Sequence, residues 1–356
     1  MDCSRLPGIC KERLREDVVK VDYHSDLKEV QSDGQLAQAL SETHQSAPFD
    51  RLAWWQGLSQ HCGLTPLLAV ARGTDDALAV LPLAGKAGHL TALSNWYTFR
   101  FRPILVGAGA PLDALAASLK SRAHRITLSH VPDEDGSASA LETAFRKAGW
   151  LVLREVCDTN RILPLEGRSC DAYLAARPGK LRTTLKRKSG KVATQILTEF
   201  DGEAWAQYES IYAESWKPEE GSPDFLRAFA RAEGAAGRLR LALAHDAADP
   251  QGPAIAAQMW TVEGGTAFIH KLAHREAARP LSPGSVLTAA LMRRVIDVDR
   301  VTLVDFGTGD DPYKQDWMEQ RRARYRLDMF RPFSPRNWPV LARIGLRGLA
   351  AGAKRG

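Results

Sequence analysis

Cysteine is scarce in this sequence, and long apolar runs are missing. The five cysteines, Cys3, Cys10, Cys62, Cys157 and Cys170, show no metal-ligand spacing, and their odd number leaves one unpaired in any disulfide scheme. They are expected to be reduced thiols in a cytoplasmic chain. No apolar stretch approaches the ~20 residues needed to cross a bilayer; even Leu67 to Leu83 is cut by Arg72, Asp75 and Asp76. The start, with Lys11, Glu12, Arg13, Arg15, Glu16 and Asp17 close together, lacks the apolar segment of a secretory signal. There is no Gly-x-Ser-x-Gly elbow, Walker loop, His-Glu-x-x-His or Cys-x-x-Cys pair. Those absences argue against an esterase, a P-loop nucleotidase and a zinc enzyme, and no metal is expected.

What is present is a globular composition over 356 residues, more than one hydrophobic core usually organises, so two domains are expected. The net charge of +6 is modest but concentrated. Arg177, Lys180, Arg182, Lys186, Arg187, Lys188 and Lys191 share one acid-free stretch, and the tail adds Arg336, Arg343, Arg347, Lys354 and Arg355. Such patches suit a polyanionic partner, or equally a solvated helix face and a solubilising tail. The basic stretch carries no interleaved aromatics on which single-stranded nucleic acid would stack.

Along the chain, a polar opening with little periodicity gives way to a helix bearing Leu52, Trp54, Trp55 and Leu58, then two apolar runs, Pro66 to Ala71 and Ala77 to Leu83, joined by the turn Gly73-Thr74-Asp75-Asp76. Helices are expected over Leu112 to Ser121 and Ala138 to Lys147, with strands over Arg125 to His130 and Leu151 to Val156. A boundary is expected near Pro164 to Ser169, followed by a basic helix from Ala172 to Val192. The second half reads as helices Asp201 to Ser215 and Asp224 to Glu233, then strands Leu239 to His245, Ala254 to Val262 and Thr266 to Ala273. Gly264-Gly265 forms a two-residue hairpin turn. A helix after Ser282-Pro283-Gly284-Ser285, a strand Val301 to Phe306, a helix around Lys314 to Glu319 and a strand Tyr325 to Phe330 complete the series.

A helix entered through Ser282-Pro283-Gly284-Ser285 presents unpaired N–H groups and the positive end of its dipole, an anion site at Gly284, Ser285 and Val286, although the same tetrapeptide also serves as a plain helix cap. Taken with Phe268 to His274, with Val304-Asp305-Phe306-Gly307 and with Asp311-Pro312-Tyr313-Lys314 and Trp317, it resembles the acetyltransferase domain of the CelD-like (cellulose biosynthesis type) branch of the GNAT superfamily, which is similar in turn to the FemAB-type aminoacyltransferases. Tyr173-Leu174, Leu185-Lys186-Arg187-Lys188 and Glu214-Ser215-Trp216-Lys217 extend the resemblance over Cys170 to Phe333 and, more faintly, into the first half. The chain departs from many members in having Ser-Pro-Gly where they carry a longer Gly-rich loop with a leading basic residue.

The resemblance implies an α/β fold of two tandem GNAT-like domains with mixed, mostly antiparallel sheets flanked by helices: a degenerate one over 1–165, the acyltransferase domain over 166–335, and a basic tail over 336–356. It implies an acyl-CoA donor, most simply acetyl-CoA, its pyrophosphate at Ser282, Gly284, Ser285 and Val286, and a backbone N–H of Leu272 or Ala273 at the oxyanion. Tyr313 is placed to protonate the leaving thiolate, or packs beneath its helix. For the base, Asp305, His270 and Glu214 are candidates, because a carboxylate or imidazole in a sheet cleft can have its pKa moved towards neutrality; Asp305 equally orients backbone or Lys314, and His270 equally satisfies itself in the core. Lys314 meets donor or acceptor, or pairs with Asp310 or Asp311. Trp216 and Gln258, with Glu214, are candidates for the acceptor wall.

The expected reaction is acyl transfer to an amine on a sugar, lipid or cell-envelope (exopolysaccharide) precursor. Two rivals stand beside it. One is a FemAB-like aminoacyltransferase with aminoacyl-tRNA as donor, the one case in which nucleic acid is an expected partner. The other is a non-catalytic scaffold of polysaccharide assembly, in peripheral contact with a membrane through the tail from Trp338 to Lys354.

Overall fold

In a computed structural model, which describes residues 19–86 and 88–344, the thirteen strands of the described residues form one sheet. The first half runs β1 (Lys20–His24), α1 (Leu27–Ser32), α2 (Gly34–Ala39), α3 (Leu52–Cys62), β2 (Pro66–Arg72), β3 (Leu78–Lys86), β4 (Gly88–Ala92), β5 (Ile104–Val106), α4 (Leu112–Ser118), β6 (Ala123–Val131), α5 (Ser137–Lys147) and β7 (Leu151–Pro164). The second runs α6 (Cys170–Ala175), α7 (Gly179–Lys188), β8 (Val192–Leu197), α8 (Gly202–Ala213), α9 (Pro223–Ala235), β9 (Leu239–Asp246), β10 (Ala256–Glu263), β11 (Thr266–His274), α10 (Pro283–Arg293), β12 (Leu303–Thr308), α11 (Pro312–Trp317) and β13 (Gln320–Phe330).

Both halves repeat one topology. Four strands pair antiparallel, the fourth lies parallel to a fifth (β4 beside β6, β11 beside β12), and a helix precedes and follows that fifth strand. The sheet then exchanges strands: β13 lies between β6 and β7, and β7 lies between β13 and β12. β7 pairs with β13 from Leu151↔Phe330 to Ile162↔Gln320, and its last residues pair with β12. The sheet therefore runs unbroken past residue 165, each half completed by a strand of the other.

Burial explains the strand patterns. β2 and β3 are almost continuously apolar because helices cover both their faces. On one face a single core joins the halves, with Trp54, Trp55 and Phe99 from the first packed with Trp205, Phe225 and Phe268 from the second. On the other face two separate cores lie under α4 and α5 and under α7 and α10. Trp54 meets Phe225 and Phe229 edge-on, both at 5.0 Å, and Gly57 lets α9 in so close that a Cβ there would stand 2.9 Å from the Phe225 ring. Arg51 adds a buried ionic tie from the first half to the second, reaching Glu233 at 3.1 Å and Glu263 at 3.0 Å.

The sequence expectations need one addition and two corrections. The polar opening, read only as having little periodicity, holds β1, α1 and α2, too short for periodicity to reveal. The basic helix from Ala172 to Val192 is two helices and the first residue of a strand, because Pro178 disfavours helix at the residue before it. Arg177 leaves the basic face, buried over the Tyr173 ring with a hydrogen bond to the Trp317 carbonyl. By contrast, Gly264 and Gly265 make the expected two-residue turn, both at positive φ. Cys3, Cys10 and the tail beyond residue 344 lie outside the described residues, and among those described no helix is long and apolar enough to cross a membrane.

Candidate functional site

The site begins where two parallel strands part. β11 pairs with β12 only over Thr266 to Phe268, leaving its remaining residues without a neighbour on that edge. At the same place β11 carries a bulge: Trp260 of β10 faces Ile269 while Met259 faces Lys271, so His270 is the extra residue. The bulge sends His270 and Lys271 to the α8–α9 face and Leu272 to the α10 face. Arg275 N–H bonds the Ile255 carbonyl at 2.9 Å. The alternation of an antiparallel ladder then directs the Ala273 N–H to β10 and the Leu272 N–H into the opening between the strands.

On the α10 face lies a cleft of about 310 Å³ whose walls include Leu272, Trp216, Ser282, Gly284, Ser285 and Tyr313. Its floor is the turn into α10. Ser282 takes the left-handed region, φ +52°, a conformation that costs a non-glycine residue about 1 kcal/mol or more. Its carbonyl accepts the Ser285 and Val286 N–H groups at 3.1 and 3.2 Å, and Pro283 has none to offer. Of the anion donors expected there, the Gly284 N–H remains uncommitted. Gln258 pins this turn from beneath. Its amide donates to the Gly284 carbonyl (3.0 Å) and the Thr288 hydroxyl (2.8 Å), and its oxygen accepts the Trp260 indole N–H (2.9 Å). With 1% of its surface exposed, it is a support of the cleft rather than its wall.

Arg279 also lines the cleft, exposed, three residues ahead of Ser282. The sequence reading did not single this basic side chain out. The spacing Arg279-x-x-Ser282-x-Gly284 carried the signal, hidden because a serine occupies a backbone position suited to glycine. The Trp216 ring lies tilted against His274, centroids 4.5 Å apart, and Tyr313 meets Phe306 edge-on at 5.7 Å. Burial and the Asp311 carboxylate hold the Tyr313 hydroxyl above its ordinary pKa, so it keeps its proton at neutral pH.

The other candidates fall outside this cleft. Lys314 is buried, its ammonium donating to the Thr308 carbonyl, and burial lowers its pKa against the pull of Asp311. Asp305 points to the opposite face, accepting from the Asn160 amide (2.6 Å) and the Gly307 N–H (2.8 Å). His270 shares a hydrogen bond with Thr261 (2.8 Å) among Phe49, Phe99 and Phe229; burial pushes its pKa down to about 3, which keeps it neutral. Glu214 is a surface carboxylate paired with Arg275, which holds its pKa below the usual range. Ala273 and Val286 are buried in the cores on the two faces.

On the α8–α9 side a second cavity, of about 490 Å³, is walled by Tyr208, Tyr212, Lys217 and Glu220. Glu220 is paired with Lys271 at 2.8 Å and accepts the Tyr97 hydroxyl. Among the described residues the fully buried Tyr208 hydroxyl has no hydrogen-bond partner. Burial lowers the Lys271 pKa although Glu220 opposes it. Burial, then repulsion from Lys271 and Lys314, pushes Lys217 down to about 8. No contiguous motif marks this group, since Tyr97 and Glu220 lie 123 residues apart. Two cavities thus open on opposite faces of β11, with consecutive residues, Lys271 and Leu272, turned to opposite sides. Among the described residues no group of three or more His, Cys, Asp or Glu could hold a metal ion.

Residues 179–315 match the family model of an acetyltransferase (GNAT) domain. No curated protein matches the chain. Among solved structures it is similar to FemX (12% identity, TM-score 0.57, covering 86% of this chain and 96% of that one). It is similar also to L-PGS from Bacillus licheniformis (13% identity, TM-score 0.56, 89% and 96%). A tandem GNAT protein from the clavulanic acid biosynthesis pathway, solved without acetyl-CoA, shares the fold at 14% identity and a TM-score of 0.50, over 86% of this chain and 98% of that one. At such identities the likeness is one of fold, and that fold is two GNAT-like halves in tandem.

Proposed function

We propose that this chain, an acyltransferase by its matched domain and its fold, moves an acetyl group from acetyl-CoA to an amine held in the α8–α9 cavity. The observation that carries the reading is the parting of β11 from β12 beside the Ser282-Pro283-Gly284 turn. The donor pyrophosphate lies against the Gly284 N–H and Arg279, and the thioester carbonyl meets the Leu272 N–H. The amine attacks the carbonyl carbon, the C–S bond breaks, and the thiolate takes the Tyr313 proton. Glu220 receives the proton shed by the amine. An acceptor on a sugar, lipid or envelope precursor follows the resemblance to the CelD-like branch.

Isothermal titration with acetyl-CoA tests the donor site. Micromolar binding is expected, abolished in Gly284→Trp, whose indole fills the cleft; a Cβ at Gly284 itself meets only the His274 ring, at 3.6 Å, so the fold tolerates the change. In acetyl transfer to a panel of amino sugars, Tyr313→Phe and Glu220→Gln are each expected to lower kcat by about 100-fold with donor affinity kept. No binding by the wild type would sink the acetyl-CoA assignment.

A second reading has one observation behind it. On α7 the exposed side chains Lys180, Arg182, Lys186 and Arg187 flank Leu181, which lines the donor cleft. That surface would also carry the phosphates of an aminoacyl-tRNA. Charged tRNA binding whose logarithm falls steeply with the logarithm of salt, in place of acetyl-CoA binding, would select it.

A further inference from the structure

Far from both cavities, the end of β13 and the start of β6 frame a cleft of about 480 Å³ lined by Lys120, Arg122, His124, Arg331 and Arg336, with no carboxylate in its wall. As on the exposed face of α7, the cations here go without acids among the described residues. Arg125, Arg154, Arg168 and Arg177 each hold an acid, whereas Lys120, Arg122, Arg331 and Arg336 have no acidic partner among the described residues. The His124 Nδ1 is buried there without a hydrogen-bond partner among the described residues. From Met329 onward the sequence contains no Asp or Glu and six basic residues.

The segment carrying Arg331 and Arg336 is held firmly. Asn337, 1% exposed, donates to the His124 carbonyl at 2.7 Å and the Arg331 carbonyl at 2.9 Å, and the Arg331 guanidinium donates to the Lys120 carbonyl at 2.9 Å. So braced, the segment still displays two aromatic rings to solvent, Phe333 at 92% and Trp338 at 59% exposure. Holding apolar rings in water beside uncompensated cations has a use where both meet a partner at once. A soluble polyanion would engage the cations and leave Phe333 idle. An anionic bilayer engages both, phosphates at the cations and rings at the head-group level.

We propose that the surface formed by Lys120, Arg122, Arg331, Arg336, Phe333 and Trp338 docks the protein on a membrane rich in anionic phospholipid. It is separate from the donor cleft: along β13, Phe330 lies ~26 Å beyond Arg322, the residue level with the end of β12, at ~3.3 Å per residue.

The test is co-sedimentation of the full chain with vesicles of phosphatidylcholine, alone or mixed with phosphatidylglycerol. Binding is expected to the mixed vesicles only, weakened about tenfold or more by Lys120→Glu with Arg336→Glu. It should also weaken severalfold in Phe333→Ser with Trp338→Ser, with unaltered melting curves showing that both variants fold. Equal binding to both vesicles would overturn the proposal, as would binding that both double variants keep in full. So would displacement by glycerol phosphate or tRNA to which the aromatic variant is indifferent, since that outcome makes the cleft a site for soluble anions.

Discussion

At the scale of single residues, the most telling group is a lysine whose place in the run Glu214-Ser215-Trp216-Lys217 gave no sign of its titration. Lys217 lies beside Trp216 at the edge of the α8–α9 cavity, and burial with two neighbouring ammonium groups brings its pKa down to about 8. A lowered lysine pKa means that the neutral, nucleophilic amine accumulates at a pH where exposed lysines, near 10.4, remain charged. Competitive labelling with acetic anhydride should therefore show Lys217 reactivity rising through about pH 8, while ordinary exposed lysines rise through about pH 10. A shared profile would remove the buried-cation account of this cavity. Tyr313 and the Ser282-Pro283-Gly284 turn could be read from the sequence because each lies in a short contiguous run. Glu220, Lys271 and Tyr97 could not, because only the folded chain brings them together.

At the scale of elements, the strands and helices of the second half were largely legible: apolar alternation and the Gly264-Gly265 turn agree locally with the final fold. What could not be read was the bulge at His270, which leaves no mark in hydrophobic alternation yet decides which side chains face which cavity. Nor did periodicity carry the strand from Leu151–Val156 on to Pro164 as one of 14 residues, because its middle is polar and lies opposite the equally polar β13. Gln258 joins β10 to α10 through two hydrogen bonds and accepts a third from Trp260 on its own strand, and replacing it with leucine strands the Trp260 indole N–H in the core. Gln258→Leu is expected to cost about 2 kcal/mol. Urea unfolding should show a lower midpoint at unchanged slope, with acetyl-CoA affinity reduced as the turn loosens. A variant with wild-type midpoint would mean that Trp260 finds water or another acceptor.

At the scale of the whole molecule, the exchange of β7 and β13 makes the halves inseparable despite their repeated topology. Cutting at residue 165 leaves the second half without the strand beside β12, and leaves β6 in the first without its neighbour. The shared core and the Arg51 tie would be severed as well. Residues 1–165 and 166–356 expressed singly should show no cooperative unfolding transition, whereas the two expressed together should recover one. A cooperative transition from either half alone would mean that the exchanged strand is dispensable.

The same exchange bears on how the chain is made. On the ribosome β6 emerges early, but the strand that covers its open edge, Gln320–Phe330, is among the last to leave. At ~5–20 residues per second, the roughly 190 residues between them take about 10–40 s to synthesise. Throughout that interval the nascent first half offers an unpaired, apolar sheet edge to every other chain nearby. Synthesis speed and chaperone supply, rather than final stability, then set how much of this protein reaches its native state.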